Sequence, residues 1–329
     1  MLDSINKTDV ATRIHATLRT LSEEPKHSVH GTDAMKMMML LAGMTVETAF
    51  LFDSCEESLE GTFDKLAKLL DCEPYDGPVN NHVLPPSTIM DFDTEQGRAV
   101  AREFFEEWLD CAYEFHEMLL FLIHQIFMSW EAKGQDRAES FRLFIECTHK
   151  AMAFELAAQE LCDALIEQKI GAENWSLGDG ISALAGSAGW YLAQSQEGIN
   201  QCCWFRADEL PDLLDQTTYV MTQEAARLGI DTVSDWRFGL AANDIPLNPP
   251  MDLVNGLEAI THSFFHTISM KNYQDQAVCC AKAAGRIVAV AAGGKRPSIE
   301  PVIAKPLAMA AITECYKSYC VRYAVSSAP

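Results

Sequence analysis

The sequence predicts an all-α protein, a multi-helix bundle built around a long antiparallel helical hairpin over about residues 96–170. Apolar residues recur at three- and four-residue steps along nearly the whole chain, the period of a helix with one buried face. Alternating runs rich in Val, Ile and Thr are almost absent, and Arg286 to Val290 is the one short stretch with strand character. With 48% hydrophobic and 22% charged residues over 329 positions, the chain can bury a full core.

Taken in order, Thr8 and Asp9 can cap a first helix whose Val10, Ile14, Leu18 and Leu21 form a stripe. Thr32 and Asp33 can cap a second that runs to about Ser58, and Thr62 starts a short third from Phe63 to Asp71. Residues 1–73 are thus expected to hold the N-terminal helices. Pro74, Gly77, Pro78, Pro85 and Pro86 punctuate a polar stretch, 74–92, that reads as a linker. The main helical bundle is expected over 93–329.

Asp93, Thr94 and Glu95 open the most legible helix, Gln96 to about Ala132. Ala101, Phe105, Trp108, Ala112, Phe115, Leu119, Leu122 and Ile126 alternate steps of four and three, the heptad seam of long packed helices. After a short polar connection a second long helix runs from about Arg137 to Ile170. So short a connection predicts antiparallel packing. Further helices are expected near Asp212 to Leu228, Met251 to Lys271, Gln276 to Ala291 and Pro306 to Val325. Ahead of these, beyond Gly171, Ser182, Gly186 and Gly189 sit at helical spacing and would let another backbone approach closely. The total is about nine or ten helices.

Two residues of the hairpin sit where solvation would not place them. His116 falls among Ala112, Leu119 and Leu120, and Glu155 between Met152 and Ala158. In an antiparallel hairpin turning near Gln135 the two lie at equal height, because both helices rise equally per residue. They are therefore expected to meet as a buried polar pair that fixes helix register or handles a proton or metal.

Glu258, His262 and His266 form an i, i+4, i+8 stripe, a spacing that suits zinc or another divalent metal. No glutamate follows His262 directly, so the general base of helical metalloproteases is missing. Glu146 and His149 have the ExxH spacing of carboxylate-bridged di-iron bundles, yet both fall on the polar side of their helix and no second ExxH is found. Asp91, Asp93 and Glu95 imitate a calcium loop with its glycine and last acid one residue late, which helix capping explains better. Gly294-Lys295 lacks the rest of a phosphate-binding loop, and Gly186 to Gly189 lacks the strand that a nucleophile elbow needs.

Charge is uneven. The chain carries 25 Lys and Arg against 47 Asp and Glu, a net of −22. Residues 47–117 hold 18 acids and 4 bases, a net of −14, whereas residues 271–329 hold 8 bases and 3 acids, a net of +5. Direct nucleic-acid binding is not expected of so acidic a chain. An acidic surface centred on Glu103, Glu106, Glu107, Asp110, Glu114 and Glu117 can instead steer a basic partner protein, or pair with the basic region of a second copy or of the same chain.

The N-terminus lacks a secretory pattern and the longest apolar stretches fall short of the roughly 20 residues that span a bilayer, so a cytoplasmic protein off the membrane is expected. Eleven cysteines, an odd number without framework spacing, read as reduced. The functional expectation is a non-enzymatic helical interaction protein whose acidic surface binds a basic partner, with nucleic-acid machinery as one such target and a DNA-mimic-like antagonist or an adaptor as the role. No cofactor is expected on that reading. The alternative is a metal-dependent helical-bundle enzyme built on Glu258, His262 and His266 or on His116 and Glu155.

Overall fold

The computed structural model describes residues 7–23, 33–51, 59–73, 92–106, 112–171, 173, 175–195, 212–230 and 248–324. Among them are eleven α-helices and no strand: α1 Lys7–Glu23, α2 Asp33–Leu51, α3 Leu59–Leu70, α4 Phe92–Glu106, α5 Ala112–Glu131, α6 Arg137–Leu165, α7 Leu177–Ser195, α8 Asp212–Arg227, α9 Pro250–Thr267, α10 Tyr273–Ala292 and α11 Pro301–Ala324. A single π-helical turn, Ile166–Gly171, extends α6. The all-α bundle expected from the periodicity is what forms.

Two stretches differ from expectation for physical reasons. The stretch from Arg286 to Val290 lies inside α10, where buried Ile287 and Val288 pack into a core that overrides their strand preference. The last helix begins at Pro301 and carries Pro306 within it. Proline suits the first helical position, and the amide that Pro306 lacks would have bonded near the helix start, at Val302, which is exposed. Residues 107–111, the middle of the expected 96–132 helix, lie outside the described residues, as do 74–91 of the expected linker.

The chain divides into two compact units, residues 1–81 with 93–152 and residues 82–92 with 153–329. The division after Met152 falls within α6, where no proline or glycine marks it.

In the first unit Val10, Ile14 and Leu18 of the α1 stripe are buried, Ile14 and Leu18 wholly, while Leu21 is half-buried at its end. Helix α2 is buried almost all round from Lys36 to Thr48, which an apolar surface on every side requires. It meets α4 backbone to backbone: a Cβ on Gly43 would lie 1.9 Å from the Thr94 carbonyl oxygen, and one on Gly97 2.0 Å from that of Leu40. Helices α5 and α6 are joined by a turn in which Gly134 takes φ +88°, and Asp136 Oδ1 caps α6 by accepting from the Glu139 amide at 2.8 Å. Phe127 meets Phe144 edge-on at 5.9 Å beside that turn.

In the second unit α7 is the central helix, packed mainly against α9, α10 and α11. Its small residues make this geometry accessible, since a Cβ on Gly189 would lie 2.0 Å from the Ile312 carbonyl oxygen. Helix α10, rich in Ala and buried over most of its length, also packs against α8.

Candidate functional site

Both misfit residues of the hairpin are buried, and each has partners within its own unit. In the first unit His116 Nε2 lies 3.1 Å from Thr62 Oγ1, tying α5 to α3. In the second, Glu155 faces three cations. It accepts from Arg227 Nη2 at 2.7 Å, from Lys282 Nζ at 3.4 Å and from Arg286 Nη2. Glu224 joins the cluster, accepting from Arg227 Nη2 at 2.6 Å and lying 2.9 Å from Arg286 Nε. Glu155, Glu224 and Lys282 are essentially withdrawn from solvent. Proximity of the cations is what permits two buried carboxylates, since a lone buried charge is prohibitively desolvated.

The first unit has a counterpart. Arg98, wholly buried, donates from Nε to Glu47 at 2.8 Å and from Nη1 to Glu95 at 3.1 Å, while Arg102 lies 3.3 Å from Glu47. Lys36 and Asp93, at 4.0 Å, extend it. Sequence reading missed both clusters. A signal was present in Ala281-Lys282-Ala283 and its neighbour Arg286, bases set in an otherwise apolar helix.

These clusters change what the charge asymmetry means. Five acids and six bases within them nearly cancel, so the net of −22 is carried elsewhere. Three of the eight bases between 271 and 329 are turned inward, Lys282 and Arg286 to the cluster and Lys305 to the Ile230 carbonyl at 3.4 Å. Those three do not contribute to a basic surface, whereas Lys271, Lys295, Arg296 and Arg322 are exposed. Of the expected acidic face, Glu103 and Glu117 are exposed. Glu107 and Asp110 lie outside the described residues, as do the side chains of Glu106 and Glu114. Glu60, Asp64, Asp71 and Glu73 on and after α3 are also exposed.

Glu258, His262 and His266 are exposed along α9 and line one pocket of about 710 Å³. Among the described residues no group of three or more His, Cys, Asp or Glu side chains is gathered closely enough to hold a metal ion. The pocket also takes Trp190, Tyr191 and Gln194 from α7, Phe265 from α9, Tyr273 from α10 and Arg322 from α11. Tyr191 lies 2.9 Å from Thr261 by their hydroxyls, and burial holds its phenol well above the usual range. The aromatic pair at the end of α7 was the signal for this pocket that sequence reading did not use.

His149 is half-buried with its ring 5.2 Å from that of Phe63, so it does not lie on the solvated face expected for it; Glu146 does pair with Arg142 on an exposed face. No described helix is long and apolar enough to cross a membrane.

Comparison with protein-family profiles, with curated proteins and with solved structures finds no significant match.

Proposed function

We propose that this is a non-enzymatic helical interaction protein whose acidic surface takes a basic partner protein. The observation that supports this reading is the near-neutrality of the two buried clusters, which leaves the acidic excess outside them. The exposed acids Glu60, Asp64, Asp71, Glu73, Glu103 and Glu117 of the first unit have Lys65 and Lys68 as basic neighbours on α3. A surface of this kind speeds encounter with a basic protein and weakens steeply with salt. A component of nucleic-acid machinery, which must itself be basic, is one target class, and the role is then that of an antagonist or adaptor. The test is capture of partners from lysate at low and at raised salt, by the native protein and by one with Glu60, Asp64, Glu103 and Glu117 changed to their amides. Salt-sensitive capture of a basic protein, lost in the amide variant, is expected. Partners retained equally by both proteins would overturn the reading.

A second reading, a metal-dependent enzyme, draws on the placement of Glu258, His262 and His266 in one pocket. It requires stoichiometric zinc or another divalent metal in untagged protein purified without chelator, lost on His262→Ala. Metal below a tenth of an equivalent removes it.

A further inference from the structure

We infer that the pocket between α7, α9 and the adjoining ends of α10 and α11 binds a small planar molecule that carries an anionic group. Three features of its lining point there. Its volume of about 710 Å³ lies in the range that small-molecule sites occupy. Beside Val254 and Met270, its apolar surface is aromatic: Tyr191 and Tyr273 are parallel to within 10° at 6.2 Å, and Phe265 stands edge-on to Tyr191 at 5.6 Å. Flat rings of this kind hold a planar ligand by stacking or edge contact. Finally, the fixed charges facing the pocket are two cations, Lys271 and Arg322, against the one carboxylate of Glu258.

That balance is opposite in sign to the chain as a whole, which bears −22. Arg322 is held over the Trp190 ring with its guanidinium carbon 5.4 Å from the ring centre, so a cation is already fixed beside an aromatic wall. A guanidinium so placed can pair with a carboxylate through two parallel hydrogen bonds. His262 and His266 add ring nitrogens along the same side. Gln194 Oε1 is buried with no hydrogen-bond partner among the described residues, and so accepts an O–H or N–H from the ligand. The ligand that satisfies all of these is an aromatic carboxylate with a ring hydroxyl or amine.

The experiment is calorimetric titration of the full-length protein with 6-hydroxy-2-naphthoate, 2-naphthoate and 2-naphthamide. Saturable one-to-one binding is expected, strongest for the hydroxy acid and at least tenfold weaker for the neutral amide. Arg322→Gln should weaken the two acids tenfold or more and leave the amide unchanged, and Lys271→Gln should act in the same direction by less. Because the amide reports on the intact aromatic walls, lost packing and lost charge are distinguished. No saturable binding, equal affinity for acid and amide, or acid binding unaltered in both variants would overturn the inference.

Discussion

Glu155 accepts a hydrogen bond from Arg227 at 2.7 Å across 72 residues of chain, with the carboxylate side chain only 1% exposed. Through this one group, and through Lys282 and Arg286, helices α6, α8 and α10 are tied together at a point where water cannot substitute for a lost partner. Glu155→Ala leaves the fully buried Lys282 without that carboxylate, and is expected to cost about 3–5 kcal/mol. Chemical denaturation followed by circular dichroism measures it. Arg142→Ala, on an exposed face beside Glu139 and Glu146, is the control and should leave the midpoint in place. Equal effects of the two changes would mean that the cluster does not hold the unit.

Close helix approach makes a second prediction. A Cβ on Gly189 would meet the Ile312 backbone oxygen at 2.0 Å, so that the helices themselves, not the end of a side chain, would have to shift. Gly189→Ala is expected to destabilise by about 1–3 kcal/mol, and to disturb the edge contact of Trp190 with Tyr319 at 4.7 Å, which near-ultraviolet circular dichroism reads. Gly134→Ala meets nothing within 4 Å and is penalised only through its φ of +88°, by about 1–2 kcal/mol, with the near-ultraviolet signal intact.

What is legible in the sequence is what lies within a single helix. Helix periodicity, the burial of His116 and Glu155 and the close approach allowed by Gly189 all follow from local spacing, because a helix fixes which residues share a face. The partners of Glu155 do not follow. They lie 72 to 131 residues away on α8 and α10, and spacing within one helix is silent about which other helix it will face. Equal height along an expected hairpin says nothing of the partners each residue takes within its own unit, Thr62 for His116 and Arg227, Lys282 and Arg286 for Glu155. For the same reason the pocket was half legible. Glu258, His262 and His266 lie on one stripe of α9, whereas Trp190, Tyr273 and Arg322 come from three other helices.

His149 provides a pH-dependent prediction. Burial against Phe63 is the largest influence on its ring and lowers its pKa, opposed by the charge of Glu60. The unfolded chain, with the ordinary value of 6.5, then binds a proton more readily than the folded one. Its contribution is fully present above pH 6.5 and is lost as pH falls below it. Denaturation midpoints from about pH 7.5 down to about pH 5.5 should fall more steeply in the native protein than in His149→Phe. Parallel slopes would show that the imidazole is as solvated when folded as when unfolded.

The buried thiols predict the opposite trend at high pH. Burial is the largest influence on Cys162 and Cys315 and pushes each up to about 12 from an ordinary 9.0; Cys279 and Cys280 are raised as well. A thiolate is the reactive form, so these four should resist a thiol reagent in the folded protein and react fully in denaturant. Because the raised value holds the proton on the folded chain, the contribution of these thiols to stability is fully present below pH 9.0 and is lost as pH climbs from there towards 12. Half-buried Cys72 and Cys147 are the described cysteines that should label first. Mass mapping after a short exposure tests the order, and early modification at Cys279 or Cys280 would show that α10 opens to solvent, contrary to its place in the core of the second unit.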